Sequence, residues 1–261
     1  MADIEGVLFD IDGVLLTSWQ PIEGAGAAVR DVRERGLACG FLTNTTSRSS
    51  ELIAQGLCDA GIAVEPDQIV TAARLTAEYV RTTYPGAKAW LLSNGNVSSD
   101  LEGIELVEEN PDVVILGGAG PEFTHEALSR VLQLLLDGVP VVAMHRGMMW
   151  EAATGLRVDT GTYLPGLEEA AGVNIAAVGK PSLTGFLSAT ELMNVDPEAT
   201  VMVGDDLIGD VLSSQRMGLT GVLVRTGKFR QAVLELATQQ PDYVIESVAD
   251  LPALLETLLK S

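Results

Sequence analysis

The sequence predicts an α/β fold: a doubly wound parallel sheet with a second, smaller α/β domain inserted into it. Two observations point there. Short apolar, β-branched runs alternate with helical patterns almost throughout the 261 residues, as expected of strands buried on both faces and the helices that cover them. With 47% hydrophobic residues the chain can bury a sizeable core, and its length fits one large domain or two smaller ones.

The first unit reads as strand GVLFD, a loop, helix AAVRDVRERG closed by Gly36, and strand ACGFLT. After Asn44 a Ser/Thr cluster opens a helix over roughly Arg48 to Ala60, stopped by Gly61, and the strand IVTA follows. A second series starts near Ala77, with KAWLLSN, DVVILGG, helix HEALSRVLQLLLDG, VPVVAMH and the helical LPGLEEAAGV. It reads as an insert over residues 77–172 between core segments 1–76 and 173–261. The chain is expected to re-enter the first sheet at NIAAVGK. Helix TGFLSATELM, strand TVMVGD, helix DVLSSQRMG, strand GVLVRT and a last strand and helix complete it.

Charge narrows the partners. The 36 acidic against 16 basic residues leave a net charge of −20, which opposes attachment to nucleic acid or anionic lipid. Runs such as VPVVAM are too short to cross a bilayer. Only Cys39 and Cys58 occur, and MADIEGVLFD has no leader of signal-peptide type, so a reducing cytoplasm is the expected setting. Cys39, in an apolar strand, is read as a core residue.

Ligand sites in open α/β sheets form at the carboxyl ends of strands, and four segments put unusual polar residues there. Asp10 and Asp12 leave the first strand, Thr43 and Asn44 leave ACGFL, Lys180 follows AAVG, and Asp205, Asp206 and Asp210 follow VMVG. Each has an innocent reading as a turn, cap or solvated helix start. Their coincidence at corresponding strand ends argues for chemistry. Side chains two apart on a strand point the same way, so Asp10 and Asp12 would repel. Clustered carboxylates with room for water favour Mg²⁺, which leaves a position for an anion such as phosphate. Thr43, backbone amides near Asn44 and Thr45, and the Lys180 charge can hold that phosphate. Asp10 is then placed to attack it, and Asp12 to protonate the leaving oxygen and later deprotonate water.

DIDGV, the strand ending in TN, the GKP segment and GDDLIGD resemble, in order and spacing, the four motifs of the haloacid dehalogenase-like (HAD) phosphatase superfamily. The large insert resembles the C2-type cap of the NagD-like subfamily. Within that subfamily, LTNTT, VGKPS, GDDLIGDV and VRTGKF resemble the mammalian-type HDHD2 and phospholysine phosphohistidine inorganic pyrophosphate phosphatase branch. The resemblance implies a Rossmann-like core and a Mg²⁺-dependent phosphatase of small phosphorylated metabolites that works through an aspartyl-phosphate intermediate. Asp10 would be the nucleophile and Asp12 the acid/base, with the metal on the Asp10 carboxylate, the Asp12 carbonyl and Asp205. Thr43, Asn44, Thr45 and Lys180 would bind phosphate, and Asp206 and Asp210 would support the metal. Caps of this kind also favour a homodimer.

Substrate choice would lie in the cap, where His145 and Arg146, with Trp150 and Arg157, are candidate contacts. His125 reads instead as a helix-start residue. A phosphotransferase on the same scaffold stays open as an alternative. A receiver-type signalling module also uses acids, Mg²⁺, a hydroxyl and a Lys, but needs neither a leaving-group acid nor a lid.

Overall fold

The computed structural model describes residues 3–152 and 155–260. The chain forms two compact units. The first takes the chain up to Thr43, Glu51–Val70 and everything from Gly185 onward, and the second takes Asn44–Ser50 and Thr71–Thr184.

The first unit is built on a six-stranded sheet in the order Tyr243–Ile245, Thr220–Val224, Thr200–Gly204, Gly6–Phe9, Ala38–Thr43, Ile69–Thr71. Successive strands step outward from Gly6–Phe9 to one edge, and the last three step outward to the other. The order therefore reverses between Gly6–Phe9 and Thr200–Gly204, which pair in parallel with Phe9 opposite Val203. In doubly wound sheets this reversal leaves a crevice at the carboxyl ends of the two strands.

Alternation along the strands sorts side chains to the two faces. Val7 and Phe9 pack with Ala28, Val29 and Val32 of helix Ala25–Glu34 and with Leu251 and Leu255 of helix Leu251–Leu258. The Phe9 and Phe41 rings stack with centroids 6.1 Å apart. Burying such side chains stabilises the unit by roughly 2 kcal/mol each. On the opposite face Met193 lies against Gly6 and Gly40, where side chains would leave it no room. Cys39 packs at the edge of this core, and burial pushes its thiol up to about 11, which keeps it protonated and unreactive at neutral pH.

The second unit has its own five-stranded sheet, ordered Ala176–Ala177, Val141–Ala143, Val113–Leu116, Lys88–Leu92, Glu105–Leu106, with every neighbouring pair parallel. A buried carboxylate pins its shorter segments: Asp100 accepts from the Ser50 amide at 3.1 Å, the Ser50 hydroxyl at 2.7 Å and the Thr71 hydroxyl at 3.0 Å. His125 is the first residue of helix His125–Leu136, which Thr124 caps by accepting from the Ala127 amide at 3.1 Å.

The structure departs from the expected course of the chain in two places. NIAAVGK does not return to the first sheet, because Ala176–Ala177 pairs with Val142–Ala143 at the edge of the second. A short apolar run carries no signal for which of two parallel sheets it joins. The second unit also reaches beyond 77–172 at both ends, because Ala72, Ala77 and Val80 of helix Ala72–Thr83 bury against Ala89 and Val113 of its sheet. Among the described residues no helix is long and apolar enough to cross a membrane.

Candidate active site

The crevice at the strand reversal is lined by acids. The Asp10 amide extends the ladder by donating to the Val203 carbonyl at 2.9 Å, which places this residue directly beyond the first strand. Its carboxylate accepts from the Ile11 amide at 2.8 Å and is 2% exposed. Asp12 is half-buried and lies off the strand, which ends at Phe9. The chain turns there, with the Ile11 carbonyl accepting from the Leu15 and Leu16 amides at 2.9 and 3.0 Å. The expectation that the two acids share one strand face is thus corrected: a turn, rather than the pleat, sets their relation.

Across the reversal, Asp205 follows strand Thr200–Gly204 and is buried. Asp206 caps the next element, accepting from the Ile208 amide at 3.1 Å and the Gly209 amide at 2.8 Å. That element is a π-helical turn over Leu207–Leu212 leading into a short α-helix, Ser213–Gln215, and not the plain helix expected from DVLSSQRMG. The wider turn sets Asp210 beneath Gly204, where an added Cβ would lie 2.3 Å from the Asp210 Cβ. The Asp210 carboxylate accepts from the Asp206 amide at 3.1 Å. Asp10, Asp205 and Asp210, all buried, each bring a carboxylate oxygen within 4.8 Å of the others.

Three acids this close in a desolvated crevice disfavour full ionisation. Burial first, and then the Asp210 and Asp206 charges, push Asp205 up to about 7 against the opposing pull of Lys228. Lys228, in the VRTGKF segment, joins this cluster although it is not among the expected site residues. The strand-end rule that found the acids could have found it, since it lies just past strand Thr220–Val224. Its amide donates to Asp205 Oδ2 at 2.7 Å, and its Nζ stands 3.6 Å from Asp205 Oδ1 and 4.0 Å from Asp206 Oδ2.

Two glycines let the backbone close around Asp205. A Cβ on Gly13 would lie 1.9 Å from Asp205 Oδ2 and one on Gly227 would lie 2.0 Å from it, and both residues have positive φ. The Thr226 hydroxyl ties the walls together by donating to the Gly13 carbonyl. Gly13→Ala should therefore displace the Asp205 carboxylate and lower kcat/KM by about a hundredfold, the cost of an ångström-scale misplacement. Steady-state hydrolysis of p-nitrophenyl phosphate measures this, and a near-normal rate would show that the wall tolerates a methyl group.

Thr43, buried, ends strand Ala38–Thr43 in the first unit. Asn44, Thr45 and Lys180 belong to the second unit. There the Asn44 amide clamps Lys180 at both main-chain groups, donating to its carbonyl at 2.8 Å and accepting from its N–H at 2.9 Å. Thr45 is half-buried and Lys180 is 2% exposed. His145 is buried, its Nδ1 accepting from the Gly147 amide at 3.1 Å and its Nε2 3.8 Å from Asp159. Arg146 pairs with Glu168 and donates to the Ile175 carbonyl at 3.0 Å, so its guanidinium braces this unit. Trp150 stands opposite Arg157 in an antiparallel hairpin of Met149–Ala152 with Gly155–Val158.

A parallel sheet with acids at its reversal point, interrupted by an insert with a sheet of its own, is the architecture of a haloacid dehalogenase-like hydrolase with a C2-type cap. Residues 7–106 match the family described as haloacid dehalogenase-like hydrolase, and residues 177–251 match a second described as HAD-hydrolase-like. The chain is 32% identical over 244 residues to haloacid dehalogenase-like hydrolase domain-containing protein 2 of Bos taurus, covering 94% of this chain and 93% of that one. It is 30% identical over 261 residues to phospholysine phosphohistidine inorganic pyrophosphate phosphatase of Mus musculus, covering 98% and 95%. Among solved structures, p-nitrophenyl phosphatase from Archaeoglobus fulgidus superposes with a TM-score of 0.87 at 27% identity over 97% of this chain and 99% of that one. NagD from E. coli K-12 does so with a TM-score of 0.81 at 28% identity over 95% and 98%. The chain belongs to the haloacid dehalogenase-like hydrolase family, and it is an enzyme of its phosphatase class.

Proposed function

We propose that this phosphatase is Mg²⁺-dependent, acts on small phosphorylated metabolites in the cytoplasm, and works through an aspartyl-phosphate on Asp10. One observation carries the reading. Asp10, Asp205 and Asp210 converge at the strand reversal, and Asp205 Oδ1 is the one buried side-chain polar atom among the described residues that lacks a hydrogen bond. An orphaned buried carboxylate oxygen is costly unless a cation takes it, and an all-oxygen donor set suits a hard divalent ion. The residues therefore fit magnesium, held by Asp10, the Asp12 carbonyl and Asp205 with Asp206 and Asp210 in support. When bound, the metal would screen the acids from one another and from the phosphoryl oxygens.

The chain's own groups carry the steps. An Asp10 carboxylate oxygen attacks phosphorus and the bond to the leaving oxygen breaks, while Asp12 gives that oxygen its proton. Asp12, now a carboxylate, takes a proton from water, whose oxygen attacks phosphorus and releases Asp10 and inorganic phosphate. Thr43 and the Asn44 and Thr45 backbone are assigned to the phosphoryl oxygens, and Lys180 supplies positive charge to them. The clamp by Asn44 on the Lys180 main chain supports this pairing of roles. His145 and Arg146 stay as candidate substrate contacts, although Arg146 would first have to leave Glu168.

The names of the relatives direct the test: p-nitrophenyl phosphate, pyrophosphate, phospholysine and phosphohistidine join a panel of phosphorylated metabolites, assayed with Mg²⁺ and with excess EDTA. Phosphate release should need the metal and return when it is restored. A rate indifferent to EDTA would refute the metal role.

A further inference from the structure

Lys228 has no part in the steps above, yet it sits among the acids that would hold the metal. Its amide fixes Asp205 Oδ2 at 2.7 Å, and Gly13 and Gly227 wall in the same oxygen. The other oxygen, Oδ1, is thereby turned toward the Lys228 ammonium, 3.6 Å away. That distance is too long for a good hydrogen bond, and Oδ1 is the orphaned atom of the cluster. The side chain of Lys228 is 23% exposed against 1% for Asp205, so the ammonium can retreat toward solvent while the carboxylate cannot. Asp10, Asp206 and Asp210 also act on it. Burial alone would lower the Lys228 pKa, but Asp205, Asp210, Asp10 and Asp206 together hold it well above the ordinary lysine range.

We propose that Lys228 is the resident counter-ion of the metal-free site, neutralising the buried acids until a divalent cation replaces it, so that this lysine sets metal affinity by competition. The proposal rests on the magnesium reading above. It makes Lys228 a positioning residue rather than a catalytic one. Two cations that need the same carboxylate oxygen cannot both be fully served, and a unit charge within about 5 Å of a divalent ion opposes its binding roughly tenfold even at high effective dielectric. Deleting the ammonium leaves the main-chain donor to Asp205 in place, because the backbone N–H is present in every variant.

The test uses the full chain, stripped with EDTA and dialysed, at constant ionic strength and without substrate. Mg²⁺ binding is measured by titration calorimetry, and melting temperature is followed against MgCl₂. Lys228→Met should melt below wild type without metal, bind Mg²⁺ about tenfold more tightly, and recover a wild-type melting temperature when saturated. Lys228→Arg, which keeps the charge, should bind like wild type. Equal or weaker Mg²⁺ affinity in Lys228→Met overturns the proposal, whatever its melting temperature. A Lys228→Met chain that folds only with Mg²⁺ is the expected result in extreme form. One that folds in neither buffer is replaced by Lys228→Gln, judged by the same affinities. Wild type separates the two readings: if it shows no saturable Mg²⁺ heat and no melting shift, the magnesium reading itself has failed.

Discussion

Asp10→Asn should lower p-nitrophenyl phosphate hydrolysis by at least about a thousandfold, because a neutral amide cannot supply the anionic oxygen that attacks phosphorus. The fold should survive. Asn keeps a side-chain oxygen to accept from the Ile11 amide, the bond that orients Asp10 at 2.8 Å. It also removes one of three buried carboxyl groups that crowd together, so the melting temperature of the stripped variant should equal or exceed that of wild type. Activity and calorimetry on one preparation check both halves. Substantial turnover with an unchanged melting curve would take Asp10 out of the nucleophile role.

Asp205→Asn should cost about a hundredfold or more in activity at a Mg²⁺ concentration that saturates wild type, and should raise the Mg²⁺ needed for half-maximal rate. The reasoning is again local. An amide oxygen can still accept from the Lys228 amide in the pocket walled by Gly13 and Gly227, so the geometry persists while the charge is lost. Wild-type Mg²⁺ dependence in this variant would show that Asp10 and Asp210 suffice for the metal.

Asp10 and Asp205 were legible because each directly follows a short apolar strand run. Asp10 after GVLF and Asp205 after TVMVG are found this way, and the topology then brings the two strands side by side. Lys228 follows a similar pattern but is harder to read, because Arg225, Thr226 and Gly227 separate it from the strand. The π-turn that buries Asp210 left no trace in sequence, since GDDLIGDV reads equally well as an ordinary helix start. Arg146 stays a candidate substrate contact, but its partners Glu168 and the Ile175 carbonyl lie too far along the chain to be read from the residues around it.

Sequence alone determined the alternation of strands and helices, the residue types at the strand ends and the presence of an inserted unit, since all three depend on periodicity within a few residues. Tertiary structure decided which sheet Ala176–Ala177 joins, where the insert begins and ends, that Asp12 sits in a turn, and which oxygen of Asp205 is left without a partner. Those depend on pairings between segments far apart in the chain. Parallel strands buried on both faces all look alike locally, so only the packed structure chooses among them.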